Sequence, residues 1–268
     1  MRCADIGDED IESRQADVES VKKKLYENMQ DMKPKGLVGW FFTRLRKFET
    51  NRVSAVLGLL PSGEKLLDVG CGEGSLVTKA KEKFKEVHGI DLSASRIEKA
   101  KANADERFPN SKQMYFSLAD IDNGIPYADS VFDVVTCLAV LEHVFNPYYV
   151  IREVNRVLIT GGTLIVEVPN VAWLPRRLSL LFGKLPVTSN AENDWEVGHL
   201  HYFTMFSLCK LFKDAGFKVF LKTGSGIFSK LRDWWPSLLT GDLIIKGIKL
   251  RRYGQLDFNL RNPHNLGQ

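Results

Sequence analysis

The part of this sequence best suited to holding a ligand is a short, mostly apolar run that contains one acidic residue and is followed by three closely spaced glycines. The run 66–69 contains Asp68, and Gly70, Gly72 and Gly74 come at alternate positions after it. Glycine has no Cβ, so the chain can turn sharply there and a ligand can lie directly against the backbone. This pattern predicts a nucleotide-like cofactor at the end of a first parallel strand.

The spacing of the glycines distinguishes between cofactors. A dinucleotide fingerprint requires Gly-x-Gly-x-x-Gly with a pyrophosphate at the helix N-terminus, but here the third glycine comes one residue early and Ser75 takes its place. The Asp68 carboxylate beside the loop would also repel a pyrophosphate and attract a cation. S-adenosylmethionine carries an ammonium and a sulfonium and no phosphate, so it fits best. Two alternatives stay open. One is that these glycines form a strand-to-helix turn that binds no ligand. The other, an NAD-dependent oxidoreductase, is the weakest.

These residues resemble the first motif of the class I S-adenosylmethionine-dependent methyltransferases, which reads Asp/Glu-x-Gly-x-Gly-x-Gly. Asp68, Gly70, Gly72 and Gly74 match that motif in full. The resemblance implies that the cofactor lies along the loop and that Asp68 fixes the loop and contacts the methionine end. Cys71 is expected to be a small packing residue at this site rather than a reactive thiol.

A second carboxylate, Asp91, ends the next predicted strand. Its separation from Gly72 is close to the roughly 20 residues at which a carboxylate accepts hydrogen bonds from ribose hydroxyls. The alternative role is an acid at the start of the following helix, where it favours the helix dipole, and the two roles can coexist. Leu92 would then lie near the adenine face.

Two further pairs of residues complete the predicted cofactor site. Asp120 and Ile121 follow the third predicted strand, and in the resembled family the aligned acid accepts a hydrogen bond from the exocyclic adenine amine. The alternative for Asp120 is a turn residue. Cys137 and Leu138 close the fourth predicted strand and are expected to pass under the sulfonium arm through backbone contacts.

Methyl transfer needs few protein groups, because the sulfonium already activates the methyl carbon that the nucleophile attacks. The protein must hold the nucleophile in line and exclude water, and an alcohol or phenol acceptor also benefits from a base. Glu142 and His143 follow the fourth strand, at the ligand edge of the sheet. His143 can take a proton near neutral pH. The alternative is a structural pair that caps the next helix and packs the loop.

The stretch 136–144 is similar to the same stretch of the ubiquinone-pathway O-methyltransferases. In that family a glutamate three residues before the Glu-His pair helps to bind a divalent metal, whereas this chain has Ala139 there. Two potential ligands remain where three are needed, and a hard cation requires further oxygen ligands. No metal is therefore expected. The resemblance covers roughly residues 60–170 and supports the fold and cofactor more than the substrate.

Residues 171–203 form an insertion after the fifth strand that is longer than a usual connection. A long insertion at this edge predicts a lid or an acceptor-binding wall. The stretch Gly-His-Leu-His-Tyr-Phe-Thr near its end resembles a subgroup of bacterial small-molecule methyltransferases. His199 or His201 could reach the acceptor; the alternative is that they cap the helix starting near Thr204. The amphipathic, basic stretch 173–185 is expected to be a buried lid helix rather than a membrane contact.

Strand and helix periods alternate along the chain, which predicts an α/β fold with a doubly wound, mostly parallel sheet and ligands at the carboxyl ends of its strands. By resemblance this is the seven-stranded, Rossmann-like methyltransferase fold with an antiparallel last strand. The predicted strands are Lys65–Val69, Val87–Asp91, Gln113–Leu118, Val131–Leu138, Thr163–Val168, Phe217–Thr223 and Gly241–Leu250. The predicted helices are Trp40–Leu60, Gly74–Phe84, Ser93–Arg107, Asn146–Leu158 (stopped by Gly161-Gly162), Thr204–Ala215 and Ser229–Leu239.

The 268 residues divide into three predicted parts. Residues 1–36 are an N-terminal tail and helix, residues 37–253 are the methyltransferase domain with its insertion, and residues 254–268 are a polar C-terminal tail. A hydrophobic content of 44% is enough for one large α/β domain.

Bulk composition narrows the class of protein. The net charge of +4 neither demands nor excludes nucleic acid, and no aromatic-basic platform stands out, so no nucleic-acid partner is expected. No apolar run reaches about 18 residues and the first residues lack a signal peptide, so no stable membrane insertion is expected. The four scattered cysteines argue against a zinc site or disulfides and favour the cytoplasm.

The sequence therefore predicts a cytoplasmic S-adenosylmethionine-dependent methyltransferase that acts on a small-molecule acceptor, at an oxygen. The first alternative is an RNA or protein methyltransferase, which is weakened because an Asn/Asp-Pro-Pro-Tyr-type motif is missing after the fourth strand. The second alternative is a non-catalytic, cofactor-binding partner protein. The acceptor, the oligomeric state and the pathway stay open.

Overall fold

A single mixed sheet organises the residues described by the computed structural model, which are 52–109, 111–186, 188, 198–225 and 234–250. Within them, seven strands follow the order β3-β2-β1-β4-β5-β7-β6. The strands are β1 (Gly63–Val69), β2 (Phe84–Asp91), β3 (Met114–Leu118), β4 (Phe132–Leu138), β5 (Leu158–Pro169), β6 (Phe217–Ser225) and β7 (Asp242–Lys249). β7 is antiparallel to both β5 and β6, and the other neighbouring pairs are parallel. The predicted fold class is confirmed.

Helices cover both faces of the sheet because successive residues of a strand point to opposite sides. The described helices are α1 (Arg52–Leu59), α2 (Ser75–Ala80), α3 (Ala94–Arg107), α4 (Pro147–Val157), α5 (Leu174–Leu181), α6 (Met205–Asp214) and α7 (Pro236–Leu239). Leu66 of β1 packs in one core with Val56, Val77 and Ile97 of α1, α2 and α3. Leu67, the next residue, belongs to the opposite core, which is filled by α4 and α6.

Polar side chains fix where several helices begin. The Ser93 side chain accepts a hydrogen bond from the Arg96 amide and caps α3, which confirms the predicted N-cap. Asn146 caps α4 in the same way, and Thr204 with Ser207 forms a capping box at α6. Gly216 lies just past α6 with φ +85°, the left-handed conformation expected of a residue after a helix. The starts of α3, α4 and α6 are therefore fixed by side-chain caps.

Two predicted boundaries are wrong. α4 ends at Val157, and β5 begins directly at Leu158, which pairs with Phe132; Gly161 and Gly162 lie inside the strand rather than ending the helix. The predicted first helix after the glycine loop is also too long, because the buried Phe84 already belongs to β2. In both cases a long strand reaches further toward the amino edge of the sheet than its apolar pattern indicates.

Several predictions fall outside the described residues. The N-terminal tail, most of the predicted helix Trp40–Leu60, the start of the predicted helix Ser229–Leu239 and the C-terminal tail belong to this group. The described ends of those two helices, α1 and α7, are helical. In the described part of the chain, no helix has the length and apolarity needed to cross a membrane.

Candidate active site

The glycine loop between β1 and α2 is fastened to the end of β2. The amides of Gly70 and Cys71 both donate to the carbonyl oxygen of Ile90, at 2.8 and 2.9 Å, and the Gly74 amide donates to the Cys71 carbonyl at 3.0 Å. Gly70, Gly72 and Gly74 have φ values of +71°, +53° and +76°. Residues with a Cβ rarely adopt such positive φ values. The loop is therefore a rigid turn at the carboxyl edge of the sheet.

The three glycines differ in what surrounds them. A Cβ on Gly70 would come within 2.3 Å of Val140 Cγ2, and one on Gly74 would lie 2.9 Å from Phe116. A Cβ on Gly72 would meet no atom within 4 Å. Gly70 and Gly74 are thus required by close packing, whereas Gly72 faces open space at the edge where a cofactor is expected. This bare backbone beside open space fits S-adenosylmethionine.

Alanine substitutions should separate these two roles. Gly70→Ala should lower the free energy of unfolding by about 2–4 kcal/mol, since it combines a positive φ with an overlap against Val140. Gly72→Ala should cost about 1 kcal/mol yet weaken binding of S-adenosylhomocysteine by roughly tenfold or more. Denaturant unfolding and calorimetry measure the two effects. Gly161→Ala is the matched control, with φ +82°, open surroundings and a place near the amino end of β5.

Asp91, at the end of β2, ties the glycine loop to the start of α3. Its Oδ2 accepts from the Gly72 amide at 2.8 Å, and its Oδ1 accepts from the Ser93 amide at 2.9 Å. The side chain is buried, and Leu92 beside it is half-buried. Each carboxylate oxygen can accept a second hydrogen bond, so the structural role leaves room for the predicted ribose contact.

Asp68 is buried under the same loop and is held by a residue that the sequence did not single out. Thr136, its neighbour on β4, donates from Oγ1 to Asp68 Oδ1 at 2.6 Å. Burial raises the pKa of the Asp68 carboxyl to about 7, against the opposing effect of the Thr136 hydrogen bond. A nearby cation would favour the charged form of the Asp68 carboxyl, and the expected roles of Asp68 in fixing the loop and contacting the methionine end stay predictions.

The remaining predicted cofactor residues surround this centre. Asp120 Oδ1 accepts from the Asp122 amide at 3.1 Å and caps a short 3-10 turn that begins at the buried Ile121. This is the turn role; the adenine contact stays a prediction. Cys137 is wholly buried in the core and Leu138 is partly exposed at the end of β4.

Cys71 is a packing residue in this structure. It is buried, and its Sγ lies 2.8 Å from where a Cβ on Gly89 would be, so the two residues fit closely together. Burial raises the pKa of the Cys71 thiol well above its usual range. A thiol that stays protonated is a poor nucleophile, which agrees with the expectation from the sequence.

The turn after β4 meets the end of the 171–203 insertion. The amides of Leu200 and His201 donate to the Glu142 carbonyl oxygen at 2.7 and 3.1 Å. His143 Nδ1 lies 2.8 Å from the Gly198 carbonyl oxygen, which can only accept, so Nδ1 carries the proton. In the neutral ring the lone pair is then on Nε2, which is 3.9 Å from Glu142 Oε1.

The two histidines of the insertion have different surroundings. The His199 ring packs edge-on against His143 with centroids 4.7 Å apart, and its Nδ1 lies 2.7 Å from Thr188 Oγ1. His201 Nε2 instead donates to the Phe145 carbonyl at 3.2 Å. Neither histidine caps α6, because Thr204 and Ser207 do so. The structure therefore groups Glu142, His143 and His199 and directs His201 to the neighbouring turn.

Two buried glutamates affect each other here: Glu142 belongs to this group, and Glu167, which the sequence analysis missed, lies near enough to raise its pKa. Glu142 and Glu167 are each 1% exposed, and no side-chain oxygen of either has a hydrogen-bond partner among the described residues. Burial, then the charge of Asp242, raises the pKa of Glu167 to about 8, and Arg52 opposes the shift from 3.8 Å. Burial, then Glu167, also raises the pKa of Glu142. An acid within an otherwise apolar strand was the signal for Glu167.

Glu167→Gln should change how stability depends on pH. The carboxyl has a pKa near 4.5 when exposed and about 8 when folded, so the folded protein holds a proton that the unfolded chain loses between these values. Wild-type unfolding free energy should therefore fall, relative to Glu167→Gln, by about 1 kcal/mol per pH unit from roughly pH 5 to 8. Thermal or denaturant unfolding across that range measures it. Exposed Glu64→Gln is the control; parallel curves for Glu167→Gln and wild type would contradict the prediction.

The insertion begins with a helix that is anchored by polar contacts. Arg176 Nη1 donates to the carbonyls of Asn170 and Gly241 at 2.7 and 2.9 Å, and the Val171 amide donates to Phe203 at 3.1 Å. The expectation of a buried lid helix is wrong: α5 has no buried residue, and Phe182 is 76% exposed. The helix is held by its first turn rather than by packing of its apolar side chains.

Comparisons with known sequences identify methyltransferases as relatives of this chain. The profile of a methyltransferase domain family matches residues 60–208. The 27-O-demethylrifamycin SV methyltransferase of Amycolatopsis mediterranei is 36% identical over 128 residues, which cover 45% of this chain and 44% of that protein. The ubiquinone biosynthesis O-methyltransferase of Idiomarina loihiensis is 33% identical over 115 residues, or 42% and 46%. The chain thus spans about half the length of the curated relatives it matches.

Solved structures share the fold at low sequence identity. The magnesium protoporphyrin IX methyltransferase of Synechocystis PCC 6803, solved with SAH bound, has a TM-score of 0.57 and 18% identity over 88% of this chain and 99% of that chain. A S-adenosylmethionine dependent methyltransferase from Mesorhizobium loti has a TM-score of 0.55 and 19% identity over 73% and 96%. The matched family profile covers more than half of the chain and includes the glycine loop, Asp91 and the Glu142–His143 turn. The chain belongs to the methyltransferase domain family, with S-adenosylmethionine as its cofactor.

Proposed function

We propose that this protein transfers the methyl group of S-adenosylmethionine to an oxygen of a small-molecule acceptor. One observation carries the proposal: the carboxyl edge of the sheet brings the open backbone at Gly72 and the carboxylate of Asp91 to the same side as the Glu142, His143 and His199 group. A cofactor loop and a candidate proton acceptor thus share one edge, as methylation of a hydroxyl requires.

In the cofactor half, the backbone at Gly72 borders the bound cofactor, and Asp91 receives the ribose hydroxyls with its remaining acceptor capacity. Asp68 holds the loop and faces the positive methionine end, while Asp120 and Leu92 border the adenine. Ile121, Cys137 and Leu138 contribute walls and backbone. The positive φ of the glycines and the hydrogen bond from the Gly72 amide to Asp91 support this assignment, because both preform the loop.

In the acceptor half, His143 Nε2 removes the proton of the acceptor hydroxyl. The O–CH3 bond forms as the S–CH3 bond breaks, S-adenosylhomocysteine leaves, and the proton stays on the imidazole until water takes it. The Gly198 carbonyl supports this assignment because it holds Nδ1–H and fixes the lone pair on Nε2. Proton transfer of this kind contributes about 10²–10⁴-fold to a rate.

The choice of oxygen is supported by the names of two relatives. The rifamycin and ubiquinone-pathway enzymes are both named for methyl transfer to oxygen. Residues 171–203 serve as the acceptor wall of the domain 37–253, since the described ends of this insertion contact the Glu142 turn and β5. We place the activity in the cytoplasm, with free thiols at Cys71, Cys137 and Cys209 as support.

The test has two steps on the purified full-length chain. Calorimetric titration with S-adenosylmethionine and S-adenosylhomocysteine, with NAD as the control, should give binding of the first two only. Labelled methyl donor should then transfer to phenolic, sugar or lipid hydroxyls and not to matched amines. Binding without transfer to any hydroxyl, but with transfer to RNA or protein, would move the assignment to that acceptor class. No cofactor binding would favour a non-catalytic scaffold.

A further inference from the structure

Three metal-ligating side chains meet where the turn after β4 contacts the insertion. Glu142, His143 and His199 each offer one ligand atom, and these atoms all lie within 4.8 Å of one another. Two of the residues are consecutive, and the third comes from a segment far along the sequence. The contact is made by the fold, so a motif search around Glu142 alone does not reveal it.

The spacing is close to that of a bound ion. Nitrogen and oxygen ligands lie about 2.1 Å from zinc, so two ligands of one ion can be at most about 4.2 Å apart. Atoms within 4.8 Å of each other reach that spacing with side-chain movements of less than about 1 Å. Rotation about side-chain bonds is sufficient, and the backbone hydrogen bonds that join Leu200 and His201 to Glu142 can stay in place.

The Glu142 carboxyl gives an independent reason for a cation. It is 1% exposed, and neither of its oxygens accepts a hydrogen bond among the described residues. A buried carboxyl group without a partner is costly, and a coordinated cation is one of the few partners that satisfies it. Ala139, three residues earlier, has no ligand atom, so a third donor must come from elsewhere in the fold. His199 occupies that place.

Both histidines also have the outer contacts that are usual for metal ligands. A metal-bound imidazole normally uses its second ring nitrogen in a hydrogen bond to a carbonyl, carboxylate or water, which fixes the ring. His143 Nδ1 donates to the Gly198 carbonyl at 2.8 Å. His199 Nδ1 lies 2.7 Å from Thr188 Oγ1. In His143 this leaves the lone pair on Nε2, and His199 presents Nε2 in the same way when the Thr188 hydroxyl accepts from its Nδ1–H.

We propose that Glu142, His143 and His199 bind one divalent transition-metal ion, through a carboxylate oxygen and the two Nε2 atoms. Two imidazoles and one carboxylate suit zinc, iron or cobalt, whereas a magnesium site is built mainly from oxygen ligands. Three protein ligands leave at least one position for water or an acceptor oxygen. The proposal departs from the expectation of no metal, because His199 supplies the ligand that Ala139 lacks.

Binding of the ion does not depend on the proposed function, but its role does. In the loaded protein the ion occupies the Nε2 lone pair of His143, so the imidazole no longer accepts the acceptor proton. A bound ion would supply Lewis-acid chemistry to an acceptor hydroxyl at its open position, and Glu142, His143 and His199 would hold it there. The ion would also join residues 198–201 to the end of β4.

The experiment uses full-length protein that has been freed of metal with a chelator. Titration with Zn²⁺ by calorimetry should show one ion per chain, and Co²⁺ should develop the intense visible absorption of a site with nitrogen ligands and fewer than six donors. His199→Gln and Glu142→Gln should each weaken Zn²⁺ binding by about 100-fold. The control is His201→Gln, in the same segment but turned to Phe145; its Zn²⁺ affinity should change less than about threefold.

Two results would overturn the inference: no intense Co²⁺ spectrum in the wild type, or equal loss of Zn²⁺ affinity in His201→Gln and His199→Gln. Thermal unfolding checks that the variants fold. If a variant does not fold, the wild-type Co²⁺ spectrum alone tests the metal site. S-adenosylhomocysteine is titrated into the same metal-free protein. Cofactor binding without metal binding would reject the metal site and keep the proposed function. Metal binding without cofactor binding would keep the metal site and reject the proposed function.

Discussion

Asp91→Ala should raise the dissociation constant for S-adenosylhomocysteine by about 10²–10³-fold. The substitution removes the carboxylate expected to accept the ribose hydroxyls, and hydrogen bonds to a charged group contribute about 1.5–3 kcal/mol each. It also frees the Gly72 and Ser93 amides that Asp91 now holds at 2.8 and 2.9 Å, so the loop loses part of its preformed shape. Isothermal titration calorimetry measures the affinity, and circular dichroism monitors the fold.

Asp105→Ala is the matched control, because Asp105 lies exposed on α3, the helix that follows Asp91. It should bind the cofactor like the wild type. Asp91→Asn separates the ribose contact from the hold on the loop amides, because asparagine keeps one oxygen acceptor and the size of the side chain. Its affinity for S-adenosylhomocysteine should lie between those of Asp91→Ala and the wild type. Wild-type affinity in Asp91→Ala would show that the ribose lies elsewhere.

His143→Gln should lower kcat by about 10²-fold or more while cofactor affinity changes less than about threefold. Glutamine keeps a polar side chain but lacks a basic ring nitrogen. In the neutral wild-type ring that nitrogen is Nε2, which lies 3.9 Å from Glu142 Oε1. The loss is expected whether Nε2 takes the acceptor proton directly or holds an ion that acidifies the acceptor hydroxyl. Turnover with labelled methyl donor and the acceptor found in the screen measures kcat, and calorimetry with S-adenosylhomocysteine measures binding.

His201→Gln is compared alongside, since its Nε2 donates to the Phe145 carbonyl rather than facing Glu142. Its kcat should fall by less than about tenfold. If His143→Gln kept full turnover, His143 would be a structural residue of the turn, as the sequence allowed. If cofactor affinity fell together with kcat, the loop between β4 and α4 would be supporting the cofactor site instead.

Periodicity and spacing predicted the fold because the relevant signals are local. The glycine loop needs positive φ at Gly70, Gly72 and Gly74, and only a few residue types permit that. The Ser93 cap and Gly216 after α6 are equally local. The starts of β2 and β5 were placed too late, because Phe84 and Leu158 join their strands through pairing with distant strands. Such pairing leaves little trace in neighbouring residues.

The candidate site was predicted less completely because it depends on contacts between distant segments. Asp68, Asp91 and His143 could be found from motifs, but the partner of Asp68 is Thr136, on a different strand. The approach of His199 to His143 depends on how the insertion returns to the sheet. Sequence spacing gives no measure of that return, so the contact between Thr188 and His199, and the grouping of His199 with Glu142 and His143, became visible only in three dimensions.

The two ends of the insertion meet at one point, where Asn170 bridges to Phe203 and the Val171 amide donates to the Phe203 carbonyl. The intervening residues therefore form a loop whose two ends are already held together by these contacts. Doubling the length of such a loop costs only about 0.6 kcal/mol of closure entropy. The residues between Arg176 and Gly198 can therefore vary in sequence and length at little entropic cost, so a new acceptor preference could be selected there while residues 198–201 keep their contacts with the Glu142 turn.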